Sequence, residues 1–177
     1  MTEVLQIAQL GHPILRQIAS PVENISDPII QNLIDDLTKT AQCANGVGIA
    51  APQVAQSYRL FIVASRPNPR YPDAPEMEPT AMINPSIVDV WGERLKGWEG
   101  CLSVPSLRGL VPRYQTIKVE YQDREGNLQR KIFSDFVARI IQHELDHLDG
   151  LVFLDRLEST QDLYTEQEYE QLLQETQ

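Results

Sequence analysis

The chain has 177 residues, 42% hydrophobic and 23% charged, enough for a real apolar core and wrong for a disordered polymer. Fifteen Lys and Arg against 25 Asp and Glu leave a net charge of −10, which argues against a nucleic-acid-binding surface. No apolar run approaches the roughly 20 residues of a membrane helix, no secretory or basic transit segment opens the sequence, and two cysteines make no disulfide framework. The expectation is one domain over residues 1–177, reduced and cytoplasmic, or inside an organelle if a transit peptide has been removed.

In chain order, Asp27-Pro28 reads as a helix start, because Asp caps and Pro suits the first helical position. Ile29, Ile30, Leu33, Ile34, Leu37 and Ala41 keep a helical period until Asn45-Gly46, and Cys43 beside that stripe reads as a small buried hydrophobe. Residues 58–64, 81–90 and 116–122 are rich in β-branched and aromatic side chains and read as strands. Between the first two, segment 66–80 holds five of the twelve prolines and should be an irregular surface loop. Residues 123–127 turn into a further strand at 128–133. A second helix is expected over 135–148, capped by Ser134 and ended by Gly150. Thr165-Glu166-Gln167-Glu168 has a capping-box pattern, opening a short helix within an acidic tail, 160–177, of five acids and no base. Without regular βαβ alternation the class is α+β, with antiparallel strands around a central helix.

That central helix carries His143-Glu144-Leu145-Asp146-His147, an HExxH. Residues four apart share a helix face, so both imidazoles reach one metal ion, and Glu144 is placed to move protons without being a ligand. A catalytic site needs a third protein ligand. The extended pattern HExxHxxGxxH matches through Gly150 but ends on Phe153, which binds no metal. A downstream carboxylate would have to come from Glu166 or Glu168, since position 167 is Gln. The remaining soft ligand is Cys101, in Glu99-Gly100-Cys101-Leu102-Ser103-Val104-Pro105; a thiolate with two imidazoles suits Zn²⁺ or Fe²⁺. Glu99 and Arg113 either pair or remain two solvated charges.

Three segments, in order, resemble the peptide deformylases: Gly46-Val47-Gly48-Ile49-Ala50-Ala51-Pro52-Gln53, then EGCLSVP at 99–105, then HELDHLDG at 143–150. Gly11-His12-Pro13-Ile14-Leu15-Arg16 and RGLVPR at 108–113 extend the likeness over about residues 5–157. The resemblance implies one divalent metal on Cys101, His143 and His147, with Fe²⁺ as the native ion and Zn²⁺, Ni²⁺ or Co²⁺ able to take its place. It implies hydrolysis of N-terminal formyl-Met on nascent peptides, with Glu144 shuttling a proton. Gln53 and the backbone N–H of Leu102 would hold the oxyanion. Val47, Gly48, Gly100, Arg108, Phe136 and Ile140 would bind substrate, Arg108 near its peptide end and the apolar side chains around Met. The alternative chemistry is that of an HExxH zinc endopeptidase; a closed, non-catalytic metal module is the other. Two departures stand out: loop 66–80 is longer than in the shortest family members, and the tail lacks the bases that some members carry. An acidic tail should not dock on ribosomal RNA, so ribosome proximity, if any, would run through the body of the protein, with no direct nucleic-acid binding and no membrane.

Overall fold

The computed structural model describes residues 2–175 and shows helices packed on one antiparallel sheet. Helix α1 (Pro28–Cys43) precedes strands β1 (Gly48–Ala50) and β2 (Leu60–Val63). Two long strands follow, β3 (Thr80–Cys101) and β4 (Val104–Gln122), then β5 (Leu128–Ser134) and helix α2 (Asp135–Leu148). A short strand β6 (Leu163–Thr165) leads into α3 (Glu166–Glu175). The sheet runs β1-β2-β3-β4-β5, with β6 added to β4 at the opposite end from β5. Among the described residues no helix is long and apolar enough to cross a bilayer.

The period-2 alternation of β2 explains how one sheet serves two helices. Leu60 and Ile62 join Ile49 and the α1 stripe of Ile30, Leu33, Ile34, Leu37 and Ala41 in one core. Phe61 and Val63 face the other way, into a core with Met82, Ile117, Val119 and the α2 residues Ile141 and Leu148. Each fully buried Leu or Ile contributes about 1.5–3 kcal/mol, so β2 is pinned from both sides and α2 is pressed onto the sheet.

The cap at Asp27 forms as expected, its carboxylate accepting the Ile29 N–H. Two local expectations fail. Cys43 is exposed, because the buried positions 30, 33, 34, 37 and 41 define a face that residue 43 does not share. Ser134 stands at the N-cap position of α2, but its hydroxyl pairs with Thr116 Oγ1 instead of capping. The greater surprise is the length of the β3–β4 hairpin, whose inner parts, 91–101 and 104–115, were not read as strands. Its tip, Leu102-Ser103, is tied to the rest of the fold: Ser103 O accepts the Leu10 N–H, and Ser103 Oγ accepts from Gln53 Nε2.

Candidate active site

The hairpin ends on Cys101, and α2 presents two histidines one turn apart, so topology delivers three donors to one place. Their ligand atoms all lie within 4.8 Å of one another, and Cys101 Sγ is 3.3 Å from His147 Nε2. All three residues are buried. Burial opposes a thiolate, but His147 and His143 outweigh it and hold the Cys101 pKa well below its ordinary value. A thiolate is the form that binds metal.

One of the three donors, His143, is oriented from behind. His143 Nδ1 is 2.9 Å from Glu99 Oε2, which turns the other ring nitrogen toward Cys101. Glu99 in turn accepts two bonds from Arg113, at 2.9 and 3.0 Å, and one from Arg139 at 3.0 Å. Burial would raise the Glu99 pKa; Arg113 and His143 win and hold it far below the usual carboxylate range. Arg113 also donates to Asp146 at 2.6 Å, inside the HExxH turn itself. The Glu99–Arg113 alternative is thereby resolved in favour of a buried pair.

Glu144 lies beside the triad, 4% exposed, and burial pushes its carboxyl up to about 7 despite the two histidines. Its Oε2 and His147 Nδ1 are, among the described residues, the buried side-chain polar atoms with no partner in the protein. A soft anion, two imidazoles and an orphaned carboxylate oxygen together fit a divalent ion with a water or substrate group beside it.

Gln53 is fixed by its own strand turn. Its Oε1 accepts the Ala50 N–H at 2.9 Å, while Nε2 points to Ser103 Oγ at 3.1 Å and Cys101 Sγ at 3.5 Å. Gly48 has no room for a side chain: a Cβ there would lie 2.5 Å from Glu144 Oε1 and 2.9 Å from Ile140 Cγ2.

A cleft opens on this centre. Val47, Gly48, Gly100, Phe136 and Ile140 line it as expected, together with Gln53, Leu102 and Glu144. Arg108 does not: it is 1% exposed, behind Tyr71 and Gly100, with its guanidinium on Glu166. Glu166 is therefore engaged with Arg108, and among the described residues the side chains placed together so that they could hold a metal are Cys101, His143 and His147. Arg70, Tyr71, Trp98 and Arg139 also line the cleft and were not anticipated. Arg139 was findable, one helical turn before His143; the others belong to a loop and a strand without useful periodicity.

Fold and site together define a class, a mixed helix and antiparallel-sheet protein with the donor set of a mononuclear metal hydrolase. The chain belongs to the polypeptide deformylase family, whose model matches residues 4–162. It is 68% identical over 171 residues to peptide deformylase 2 of Nostoc sp., covering 97% of this chain and 96% of that one. Among solved structures it is similar to a class I type b peptide deformylase from Acinetobacter baumannii bound to Met-Ala-Ser, with TM-score 0.86 and 48% identity over 89% of this chain and all of that one. It is also similar to a peptide deformylase from Synechococcus elongatus in complex with actinonin, with TM-score 0.79 and 36% identity over 89% of this chain and 81% of that one.

Proposed function

We propose that the whole chain, 1–177, acts as one catalytic domain that removes the formyl group from N-terminal formyl-Met of nascent peptides and releases formate. The observation that carries this reading is the convergence of Cys101, His143 and His147 beside Glu144, at the mouth of an apolar cleft. The A. baumannii relative holds a peptide that begins with Met, which supports the substrate class.

A divalent ion on Cys101, His143 and His147 supplies, when bound, Lewis acidity and a readily ionised water. Glu144, its carboxyl pushed up to about 7 by burial, would take a proton from the attacking water and deliver it to the departing amine as the formamide C–N bond breaks. Gln53 Nε2 and the Leu102 N–H donate to the oxyanion, each such donor being worth about 2.7–4 kcal/mol. Val47, Phe136 and Ile140 pack the Met side chain, and the backbone at Gly48 and Gly100 binds the peptide main chain in extended form. The native ion in this reading is Fe²⁺, with Zn²⁺, Ni²⁺ or Co²⁺ as substitutes. The setting is the cytoplasm, and substrates arrive by diffusion or through a surface of the body near the ribosome.

The test is metal analysis of anaerobically purified protein together with formate release from formyl-Met-Ala-Ser. Iron near one equivalent, turnover that decays in air and survives with Ni²⁺, and no cleavage of internal peptide bonds are expected. Glu144→Ala should keep the metal and lose turnover by about 10²–10⁴-fold, whereas Cys101→Ser and His147→Ala should lose the metal. Stoichiometric metal and full activity in Cys101→Ser would remove the cysteine from the ligand set, and endopeptidase activity would overturn the substrate.

A further inference from the structure

The acidic tail forms its short helix and, at the start of it, backs the cleft wall. Strand β6 pairs antiparallel with β4, Arg108 opposite Tyr164, and so carries Glu166 to the Arg108 guanidinium. Both Glu166 oxygens accept from Arg108, at 2.7 to 3.0 Å, and the guanidinium lies 5.2 Å from the ring centres of Tyr71 and Tyr169. Its third arm, Nη1, donates to Tyr71 Oη at 3.1 Å, and the Gly100 N–H reaches the same oxygen at 3.3 Å. Gly100 must lack a side chain for this, because a Cβ there would come 2.8 Å from Arg108 Nη1.

Tyr71 is the far end of this chain of contacts and it faces the cleft. Its ring packs at 5.3 Å on Phe136, a wall of the apolar pocket. Trp98, a second cleft residue, is backed independently by the tail: its ring sits 5.0 Å from Tyr164 and 4.9 Å from Tyr169. Two cleft side chains from different segments thus lean on the same acidic tail. A buried, forked cation bound on both carboxylate oxygens has one geometry, so Glu166 fixes where Arg108 holds the Tyr71 hydroxyl.

We propose that Glu166 is a positioning residue for substrate binding, acting through Arg108 to seat Tyr71 against Phe136. The acidic tail is then part of the substrate cleft, and Arg108 serves the peptide through Tyr71 instead of meeting it as a free cation. This rests on the deformylase reading above.

The experiment is steady-state turnover of formyl-Met-Ala-Ser by the metal-loaded protein and by Glu166→Gln, Tyr71→Phe and the double variant, with metal content measured on each. Glu166→Gln keeps an acceptor but not the charge, and Tyr71→Phe keeps the ring but not the hydroxyl. Each should raise KM by about fivefold, the order of one weakened charged hydrogen bond, with kcat within about twofold and metal content unchanged. The double variant should show little more than either single change, because both cut one path. Glu170→Gln, on the exposed side of α3, should match the parent protein. Unchanged KM in both single variants, independent additive effects, or a fall in kcat with loss of metal would each overturn the proposal. Absence of turnover in the parent protein would instead overturn the deformylase reading.

Discussion

Arg113 and Arg108 sit on the same strand, β4, each buried and each gripping a carboxylate with both oxygens engaged or shared. Their surroundings differ. Around Arg113 the carboxylates are buried too: Glu99 is 4% exposed at its side chain and Asp146 6%, and each has a second cationic partner, Arg139 and Arg156 respectively. Around Arg108 the single carboxylate, Glu166, keeps 34% of its side chain in solvent. The first cluster can be broken only by leaving a charge in a dry place. The second can be opened to water. The cluster of Cys101, His143 and His147 leans on the first through His143 and the cleft wall leans on the second, so the site has a rigid end and an adjustable end.

The largest effect expected from this contrast is on stability. Arg113→Met strips the main partner from two buried carboxylates and should destabilise the metal-free protein by about 3–5 kcal/mol in denaturant unfolding. Arg108→Met exposes no comparable buried charge, because Glu166 can rehydrate, and should cost clearly less, about 1–3 kcal/mol. Equal losses would erase the distinction between the two clusters.

A second measurement sharpens it through pH. The folded state holds the Glu99 carboxyl below its ordinary value of 4.5, so the stability it contributes is present above that pH and is lost as the pH falls further. In the metal-free protein the melting temperature should therefore drop on acidification below about 4.5, and Glu99→Gln should flatten that limb. The same substitution takes the negative charge from behind His143 and should weaken metal affinity by about 10–100-fold, as disruption of an outer carboxylate–histidine pair does elsewhere. An unchanged acid limb would mean that Glu99 is not the carboxylate that couples the dry cluster to folding.

The two clusters also differ in how far they could be read from the sequence. Glu99, Arg113 and Asp146 all fall inside the segments that carry the family likeness, and α1 and α2 follow from apolar period and stop signals almost to the residue. The inner halves of β3 and β4 did not follow. Gly92, Gly97, Gly100, Pro105 and Pro112 interrupt the alternation there, and cross-strand pairing along the hairpin, with register shifts at Trp91/Arg94 and Glu99/Cys101, decides the outcome. β1 and β6 span three residues each, too short for any pattern. Arg108 was legible as a motif residue, but its neighbours were not, since its partners lie 37 and 58 residues away in a proline-rich loop and a tail whose composition reads only as acidic. Tertiary contacts of that range leave no periodic trace in the chain.

Deleting Leu163 to Gln177 tests the adjustable end most directly, and the expected loss of stability is small for the number of residues removed. The deletion takes away Glu166 and the Tyr169 ring together, so Arg108 loses its partner and its cover at once and is hydrated instead of stranded. What is lost is the short β6 pairing and the contacts of Trp98 with Tyr164 and Tyr169, two aromatic pairs worth about 0.5–1.5 kcal/mol each. Unfolding should therefore shift by about 1–3 kcal/mol, less than the single substitution Arg113→Met. KM for formyl-Met-Ala-Ser should rise beyond its value in Glu166→Gln, because Trp98 is released along with Tyr71, while metal content stays at the parent level. Ribosome association should be unchanged or slightly stronger, since the segment removed carries only negative charge. Loss of metal on this deletion would show that the tail supports the rigid end as well, and the division between the two clusters would fall.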